Sequence, residues 1–287
     1  MSALDKSKTV AVIGAGTMGA GVAQVAAAAG HTTLLFDTNA EAIERGIAGI
    51  SKGLNRLVER GKMDEQQRDA ILANLHPVTE LEQLAPATLV IEAIIEDLAT
   101  KQSLFRQLED ICGEETILAT NTSSLSVTAI AAKLQRPGNL VGMHFFNPAP
   151  IMKLVEVVSG ITTNKTVAEK VYDTSLAWGK HAVYAKSTPG FIVNRVARPF
   201  YAEGLRALEE GAADAATLDA IMRESGGFRM GPFELMDLIG HDVNYAVTCS
   251  VFDAYYNDPR FLPSLTQKEL VDGGLLGRKS GRGFYNY

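Results

Sequence analysis

A histidine and a glutamate lie where this chain can assemble a general base. His144 belongs to the short apolar segment 140–145, and Glu156 belongs to a second apolar segment, 153–158. If the two segments pair as an antiparallel hairpin centred on Pro150, His144 lies opposite Glu156. A carboxylate in that position accepts the proton on one imidazole nitrogen and leaves the other nitrogen to act as a base. An isolated histidine would favour a structural role, but the facing carboxylate favours proton transfer.

A glycine-rich turn near the N-terminus predicts a dinucleotide site. It directly follows the apolar run 9–13 and opens an alanine-rich helical segment. The first glycine permits a tight turn, the second lets the backbone approach a pyrophosphate, and the third lets the helix pack against the strand. The predicted cofactor residues of this turn are Gly14, Gly16, Thr17, Met18 and Gly19.

The carboxylate of Asp37 completes this signal. Asp37 ends the next predicted strand, 23 residues after Gly14, where it can accept the adenine-ribose hydroxyls. It would repel a 2′-phosphate, and Thr38 and Asn39 supply no arginine beside it. The combination predicts binding of NAD rather than NADP.

Two other polar segments follow predicted strands. Thr-Asn-Thr-Ser-Ser at 120–124 follows the strand 116–119, and Glu96 follows the strand 88–91, with Lys101 on the next helix. Parallel strands bring their carboxyl ends to one edge of the sheet, where ligands bind. Two plainer interpretations stay open: the hydroxyls cap the helix that starts near Ser126, and Glu96 and Lys101 form a surface pair.

The strand pattern predicts an α/β, Rossmann-type, mostly parallel sheet over 1–187, followed by an all-α domain over 188–287. A helical hairpin, 40–74, is inserted in the first domain, where the gap between strands is too long for one crossover helix. Its first helix carries Lys52, Arg56 and Arg60 on one face, with Lys62 nearby. This stripe is either a solvated face or a site for several phosphates. In the second domain, Asn194 is predicted to lie exposed, one turn inside a helix.

Composition narrows the class of protein. The chain has 287 residues, 33 acidic against 27 basic side chains, and a formal net charge of −6. This balance argues against binding to nucleic acid or to an anionic membrane surface. The apolar runs are too short to predict a membrane span, the polar first residues predict no secretory signal, and the 2 cysteines predict neither a disulfide nor a metal site. A cytoplasmic location is expected.

Several motifs together resemble the L-3-hydroxyacyl-CoA dehydrogenase family, and within it the bacterial enzymes for 3-hydroxybutyryl-CoA or 3-hydroxyadipyl-CoA. The similarity extends over nearly the whole chain, to the Gly-Phe-Tyr at 283–285. Its motifs are Gly-Ala-Gly-Thr-Met-Gly at 14–19, Asn-Thr-Ser-Ser-Leu at 121–125, His-Phe-Phe-Asn-Pro at 144–148, Lys-Leu-Val-Glu-Val at 153–157, Thr-Pro-Gly-Phe-Ile-Val-Asn-Arg at 188–195 and Met-Gly-Pro-Phe-Glu-Leu at 230–235.

The resemblance implies a cytoplasmic NAD-dependent oxidoreductase of fatty-acid or phenylacetate metabolism, dimeric through the helical domain. It implies that neutral His144, oriented by Glu156, removes the 3-hydroxyl proton of an acyl-CoA while hydride passes from C3 to the nicotinamide. Gly53 stands where some relatives carry a serine, so only Arg56 and Arg60 are carried over as CoA contacts. Two further residues are implied to contact the substrate: Ser123, which would also contact CoA, and Asn194. Contact with the nicotinamide ribose is implied for Asn147, Glu96, Lys101 and Lys279.

Alternatives of other classes stay open. A non-catalytic NAD(H)-binding protein, like the lens crystallins that resemble this family, would not need the intact His144 and Glu156. A dehydrogenase for free hydroxy acids would not need the basic hairpin. The acyl-chain length is also open, and either Arg198 or Arg229 is a candidate partner for a second carboxylate on the substrate.

Overall fold

The structure is a computed structural model that describes residues 2–287. The chain divides between Thr188 and Pro189 into two compact units, and each unit is described by itself.

The first unit contains an eight-stranded sheet with the order β3-β2-β1-β4-β5-β6-β7-β8. Strands β1 to β6 are mutually parallel, β7 is antiparallel to β6, and β8 is parallel to β7. The predicted fold class is therefore confirmed. The strands are β1 Thr9–Ile13, β2 Thr33–Phe36, β3 Leu75–Val78, β4 Ala87–Glu92, β5 Ile117–Thr120, β6 Leu140–Phe145, β7 Leu154–Ser159 and β8 His181–Lys186.

Helices cover this sheet, and the buried central strands supply its core. The residues of β1, β4 and β5 are almost wholly buried, as expected for parallel strands packed on both faces. The helices of this unit are α1 Thr17–Ala28, α2 Ala40–Glu59, α3 Glu65–Ala73, α4 Leu98–Ile111, α5 Val127–Ala131 and α6 Lys165–Ala177.

The helical hairpin consists of α2 and α3. Ile43, Ile50 and Leu54 form the buried stripe of α2. The hairpin turns at Gly61, whose φ is +64°, and Asp64 caps α3 by accepting a hydrogen bond from the Gln67 backbone N–H at 2.7 Å. The apolar stripe and this cap explain why the segment forms two helices rather than one crossover helix.

Two strands lie outside those that the sequence predicts. The short strand β3 is one edge of the sheet, contains Pro77, and buries only its first and last residues. The strand β8 is the other edge of the sheet. Exposed and buried residues are mixed along it, so its sequence lacks the continuous apolar run of a central strand. Edge strands have one neighbour and one less-covered side, so their residues carry a weak hydrophobic pattern.

The second unit is helical. In the described residues 2–287, no helix combines the length and apolar character needed to cross a membrane. The helices are α7 Val193–Glu209, α8 Ala215–Glu224, α9 Pro232–Ile239, α10 His241–Ala254 and α11 Leu265–Asp272.

Two buried carboxylates hold the C-terminal segment of this unit. Asp237 accepts hydrogen bonds from His241 Nε2 at 2.7 Å, from the Tyr285 backbone N–H at 3.0 Å and from the Tyr287 hydroxyl at 3.0 Å. Asp219 accepts a hydrogen bond from the Tyr285 hydroxyl at 2.7 Å. Burial opposes the charge of Asp237, but these hydrogen bonds hold its pKa below the ordinary value.

Asp237→Asn is expected to destabilise the fold by about 3 kcal/mol, because an amide cannot accept all of these hydrogen bonds. A carboxylate with a lowered pKa contributes stability above roughly pH 4, and that contribution disappears as the pH falls through the lowered value. Urea denaturation at pH 7 and at lower pH measures both effects. The variant should lose less stability on acidification than the wild type does. The exposed Asp253→Asn is the control, and equal stability of the two variants at pH 7 would refute the role of Asp237.

Candidate active site

The glycine-rich turn between β1 and α1 has the backbone that a dinucleotide requires. Gly14 has a φ of +98°, and a Cβ there would lie 2.5 Å from the Ala93 carbonyl oxygen. A Cβ on Gly19 would lie 1.7 Å from the Gly14 oxygen, so α1 approaches the turn too closely for any side chain. By contrast, a Cβ on Gly16 would meet no atom within 4 Å. The turn is therefore tightly packed at Gly14 and Gly19 and open at Gly16. Thr17 and Met18 begin α1 next to this open side, and the helix dipole of α1 favours an anion there.

Asp37 lies directly after β2 and is tied to this turn. Its Oδ2 accepts a hydrogen bond from the Ala15 backbone N–H at 2.7 Å, and its Oδ1 accepts one from Asn39 at 2.9 Å. Asp37 and Gly14 line a pocket of about 740 Å³, whose far wall includes Ala99 and Leu104 of α4. A carboxylate, an apolar wall and an open glycine turn match the ribose, adenine and pyrophosphate of NAD, so the residues present fit this cofactor.

Asp37→Ser is expected to weaken NADH binding about 10- to 100-fold, since the carboxylate is predicted to accept charge-assisted hydrogen bonds from the ribose hydroxyls. The same change removes the repulsion of a 2′-phosphate, so binding of NADPH should strengthen. Titration of each cofactor by its fluorescence measures both constants, with the exposed Asp69→Ser as a control. Unchanged preference for NADH would contradict the role of Asp37.

The predicted histidine and glutamate face each other across two neighbouring strands. In the antiparallel pairing of β6 with β7, His144 is the direct partner of Glu156, so the predicted register is confirmed. His144 Nδ1 lies 2.7 Å from Glu156 Oε2. The exposed fractions are 5% for His144 and 0% for Glu156. Because a carboxylate only accepts, Nδ1 carries the hydrogen, and Nε2 is the nitrogen with an acceptor lone pair.

Ser123 lies in the loop after β5, and Glu96 holds that loop. Glu96 Oε1 accepts hydrogen bonds from the Thr122 hydroxyl at 2.6 Å, from the Ser123 backbone N–H at 2.9 Å and from the Ser124 backbone N–H at 3.1 Å. Partial burial opposes the charge of Glu96, but Lys101 and these donors hold its pKa below the ordinary value. The ionised Glu96 therefore fixes the position of Ser123.

Lys101 does not form a surface pair with Glu96, as the plainer interpretation held. The exposed fraction of Lys101 is 1%, and its Nζ lies 2.5 Å from Glu92 Oε1 and 3.4 Å from Glu96 Oε2. Glu92, at the end of β4, also accepts a hydrogen bond from the Thr120 hydroxyl at 2.7 Å. No role for Glu92 is predicted from the sequence, although an acid that ends an apolar parallel strand is itself a signal of a buried polar group.

The loops after β5 and β6 are joined by Asn121, which belongs to the predicted polar segment 120–124 but has no individual role predicted from the sequence. Asn121 Oδ1 accepts a hydrogen bond from the Phe145 backbone N–H at 2.8 Å, next to His144. The predicted cofactor residue Asn147 is exposed and lies just beyond β6, at the same edge of the sheet. Asn121 therefore links the segment of Ser123 to that of His144.

The four basic residues at 52, 56, 60 and 62 are exposed. Lys52 and Arg56 lie on α2, Arg60 lies at its end, and Lys62 follows. A groove of about 480 Å³ between α1 and α2 has Arg45 on its wall. The structure thus leaves both interpretations of the basic stripe open, and contact of Arg56 and Arg60 with CoA stays a prediction.

The predicted site residues of the second unit are Asn194 and Lys279. Asn194 is the second residue of α7 and half-buried, so the expectation of an exposed amide one turn inside the helix is wrong. The helix begins only at Val193, after Phe191, whose φ of +46° is not helical. Lys279 Nζ lies 2.5 Å from Asp242 Oδ1. Two contacts stay predictions: that of Asn194 with the substrate and that of Lys279 with the nicotinamide ribose.

The parallel sheet, the open glycine turn and the carboxylate after β2 define a dinucleotide-binding protein of the Rossmann type. Two family models cover almost the whole chain. The 3-hydroxyacyl-CoA dehydrogenase NAD binding domain matches residues 9–188, and the C-terminal domain of the same family matches residues 190–287. The chain belongs to the 3-hydroxyacyl-CoA dehydrogenase family, and its first unit is an NAD-binding domain. The predicted family and cofactor are confirmed.

Named relatives agree with this assignment. The chain is 57% identical to the 3-hydroxyadipyl-CoA dehydrogenase of Escherichia coli over 98% of its own length, which spans 59% of that relative. It is 40% identical to the 3-hydroxybutyryl-CoA dehydrogenase of Clostridioides difficile over 97% of the chain and 99% of the relative. A crystal structure of 3-hydroxybutyryl-CoA dehydrogenase from E. coli matches with a TM-score of 0.95 and 56% identity, over 99% of this chain and 60% of that one.

Proposed function

We propose that this chain catalyses the reversible, NAD-dependent oxidation of an L-3-hydroxyacyl-CoA to the 3-oxoacyl-CoA, with a short or dicarboxylic acyl chain. The observation that carries the proposal is the buried pair His144 and Glu156 at the carboxyl end of β6. This pair shares an edge of the sheet with the glycine turn after β1 and the loop of Ser123 after β5. Such an edge is where doubly wound sheets bind their ligands.

His144 and Glu156 have different roles in proton transfer. NAD, when bound, supplies the acceptor for the hydride of C3. In the oxidative direction, His144 Nε2 takes the proton of the 3-hydroxyl, and Glu156 stabilises the imidazolium that results. In the reductive direction, the imidazolium returns this proton to the 3-oxo oxygen. The hydroxyl of Ser123 would donate to the substrate oxygen, and the hydrogen bond from the Ser123 backbone N–H to Glu96 supports a fixed position of this residue.

We assign binding of the CoA portion of the substrate to the helical hairpin. Arg56 and Arg60 are exposed and separated by one helical turn, so their charges lie on one face of α2. Guanidinium groups bind phosphate through paired hydrogen bonds, which suits the phosphate-rich end of CoA. This assignment gives a ligand to the positive side chains at 52, 56, 60 and 62, in a chain of net charge −6.

Oxidation of NADH, followed by its absorbance, with acetoacetyl-CoA as substrate tests the proposal. Turnover supports it, and NADH binding without turnover of 3-oxoacyl-CoA substrates of several lengths would make the chain a non-catalytic dinucleotide-binding protein. Reaction in the opposite direction with free 3-hydroxybutyrate is the second arm. Equal kcat/KM for the free acid and its CoA ester would remove the role of Arg56 and Arg60 and favour a hydroxy-acid dehydrogenase.

We also propose a cytoplasmic homodimer formed through the helical unit. Both Cys112 and Cys249 are unpaired in the structure, as a reducing compartment would leave them. Val196, Leu262 and Leu265 are large apolar side chains of the helical unit that are more than half exposed, which favours a partner surface. Sedimentation of the whole chain tests the homodimer. Fractionation of cells that express the chain tests the cytoplasmic location.

A further inference from the structure

A buried lysine of the first unit takes no part in the scheme above. Lys180 directly precedes β8, and its exposed fraction is 6%. Its ammonium donates hydrogen bonds to the Ala149 carbonyl oxygen at 2.5 Å and to the Met152 carbonyl oxygen at 2.9 Å. Within residues 2–287 this ammonium forms no ion pair with a carboxylate. Backbone oxygens are thus the partners of its positive charge.

Burial of this ammonium is unfavourable by itself. Desolvation, together with the nearby charge of Lys153, lowers the pKa of Lys180 below its ordinary value. An apolar side chain of similar length would occupy the same space without that cost. What the cation adds is a pair of charge-assisted hydrogen bonds, which are stronger and more directional than apolar contact. Lys180 therefore fixes the position of two carbonyl groups.

These two carbonyl groups belong to residues 146–153, the β6–β7 turn. In the sheet β6 is separated from β1 by β4 and β5, yet this turn reaches back to α1. A Cβ on Gly21 of α1 would lie 3.3 Å from Ala149 Cβ and 3.3 Å from Pro150 Cδ, so the turn packs directly on the helix. Pro150 also lines the groove between α1 and α2, together with Gly16. The turn thus lies beside the helix that begins at the glycine turn.

The first residues of the β6–β7 turn lie next to the proposed base. The centroid of the Phe146 ring is 4.5 Å from that of His144, and the exposed Asn147 follows. NAD that is bound with its pyrophosphate at Gly16 has to extend toward His144, because the hydride and the proton leave neighbouring atoms of the substrate. The nicotinamide half of NAD is therefore expected to lie along this turn, which contacts both α1 and the base.

We propose that Lys180 is a positioning residue for the nicotinamide half of NAD. Its ammonium holds the β6–β7 turn at Ala149 and Met152, and the turn presents Asn147, for which contact with the nicotinamide ribose is predicted. Lys180 itself contacts neither cofactor nor substrate. The inference rests on the proposed function and adds a residue to which that function gives no role. The adenine half depends on Asp37 and the glycine turn, whose hydrogen bonds do not involve Lys180.

The test compares two ligands, NADH and ADP, which share the adenine, its ribose and the pyrophosphate but not the nicotinamide half. Lys180→Met keeps the length of the side chain and removes its donors. The Kd of NADH should rise about 10-fold, and the Kd of ADP should stay within about 2-fold of the wild-type value. Titration calorimetry measures both constants, and a partly unfolded variant changes the stoichiometry rather than the Kd.

Turnover of acetoacetyl-CoA gives a second measurement on the same variant. In Lys180→Met, kcat should fall about 10- to 100-fold, because a displaced nicotinamide is poorly aligned for hydride transfer. KM for acetoacetyl-CoA should change little, since Lys180 contacts no part of the substrate. Lys180→Arg keeps a charged donor for the two carbonyl groups and should recover part of the NADH affinity and of kcat.

Two further changes separate positioning from general charge. The exposed Lys153→Met removes a positive charge beside the same turn without removing a hydrogen bond to either carbonyl group, and it should leave the ratio of the two Kd values unchanged. Asn147→Ala should also raise the Kd of NADH. Combined with Lys180→Met, it should raise this Kd by less than the product of the two separate effects, because both act through one contact.

Several results would overturn the inference. An unchanged ratio of Kd values in Lys180→Met would remove the role, and an equal loss of affinity for NADH and ADP would make Lys180 a purely structural residue. The same ratio in Lys153→Met as in Lys180→Met would assign the effect to charge alone. Independent effects of Lys180→Met and Asn147→Ala would exclude the route through Asn147. Failure of the proposed function looks different, since the wild type would then bind NADH without turning over acetoacetyl-CoA, and the ratio would still report on Lys180.

Discussion

Replacing His144 with alanine is expected to lower kcat by about 10²–10⁴-fold in both directions, because the variant has no side chain to accept or return the substrate proton. The loss of kcat should be specific to proton transfer, because the histidine is held in one position. Its ring is 5% exposed, and its Nδ1 is held 2.7 Å from Glu156. NADH binding should be retained, since the glycine turn and Asp37 lie after other strands.

The measurement is steady-state turnover of acetoacetyl-CoA beside NADH titration by fluorescence. Alanine leaves Glu156 buried without its imidazole partner, so a second variant, His144→Gln, provides an amide N–H for that carboxylate. His181→Ala changes an exposed histidine at the start of β8 and should leave turnover intact. Near-normal kcat in both His144 variants would eliminate the assignment of the base.

The central strands and the facing pair were predictable because their signals are local. Strands β1 and β6 are continuous apolar runs, and a hairpin centre at Pro150 fixes the register that brings His144 opposite Glu156. The glycine turn is likewise a local backbone requirement, since Gly14 needs a positive φ. Patterns of this kind are visible from neighbours in the sequence.

The contacts that hold the site together were not predictable because they join distant segments. Glu92 and Lys101 pair only when β4 and α4 pack, and burial then turns an apparent surface ion pair into an interior one. Asn121 reaches the backbone of Phe145 because β5 and β6 are neighbours in the sheet. Edge strands β3 and β8 were missed for a related reason, since their burial depends on one neighbour. Tertiary contacts of this kind decide where a polar side chain lies.

Glu156→Gln is expected to lower kcat by about 10- to 100-fold, since the hydrogen bond to the imidazolium is no longer assisted by a negative charge. Glutamine keeps the size of glutamate and can still accept from His144 Nδ1 through its amide oxygen. It carries no negative charge, so it stabilises the imidazolium less. Glu156 contacts the base rather than the substrate in this scheme, and it acts as a positioning residue.

The split between kcat and KM separates this role from a merely structural one. Because Glu156 contacts the base and not the substrate, Glu156→Gln should lower kcat and leave KM and the affinity for NADH nearly unchanged. The exposed Glu115→Gln is the matched control. A variant that loses affinity for substrate and NADH as strongly as it loses kcat would mean that Glu156 supports the strand pair, and that the charge beside His144 plays no part in proton transfer.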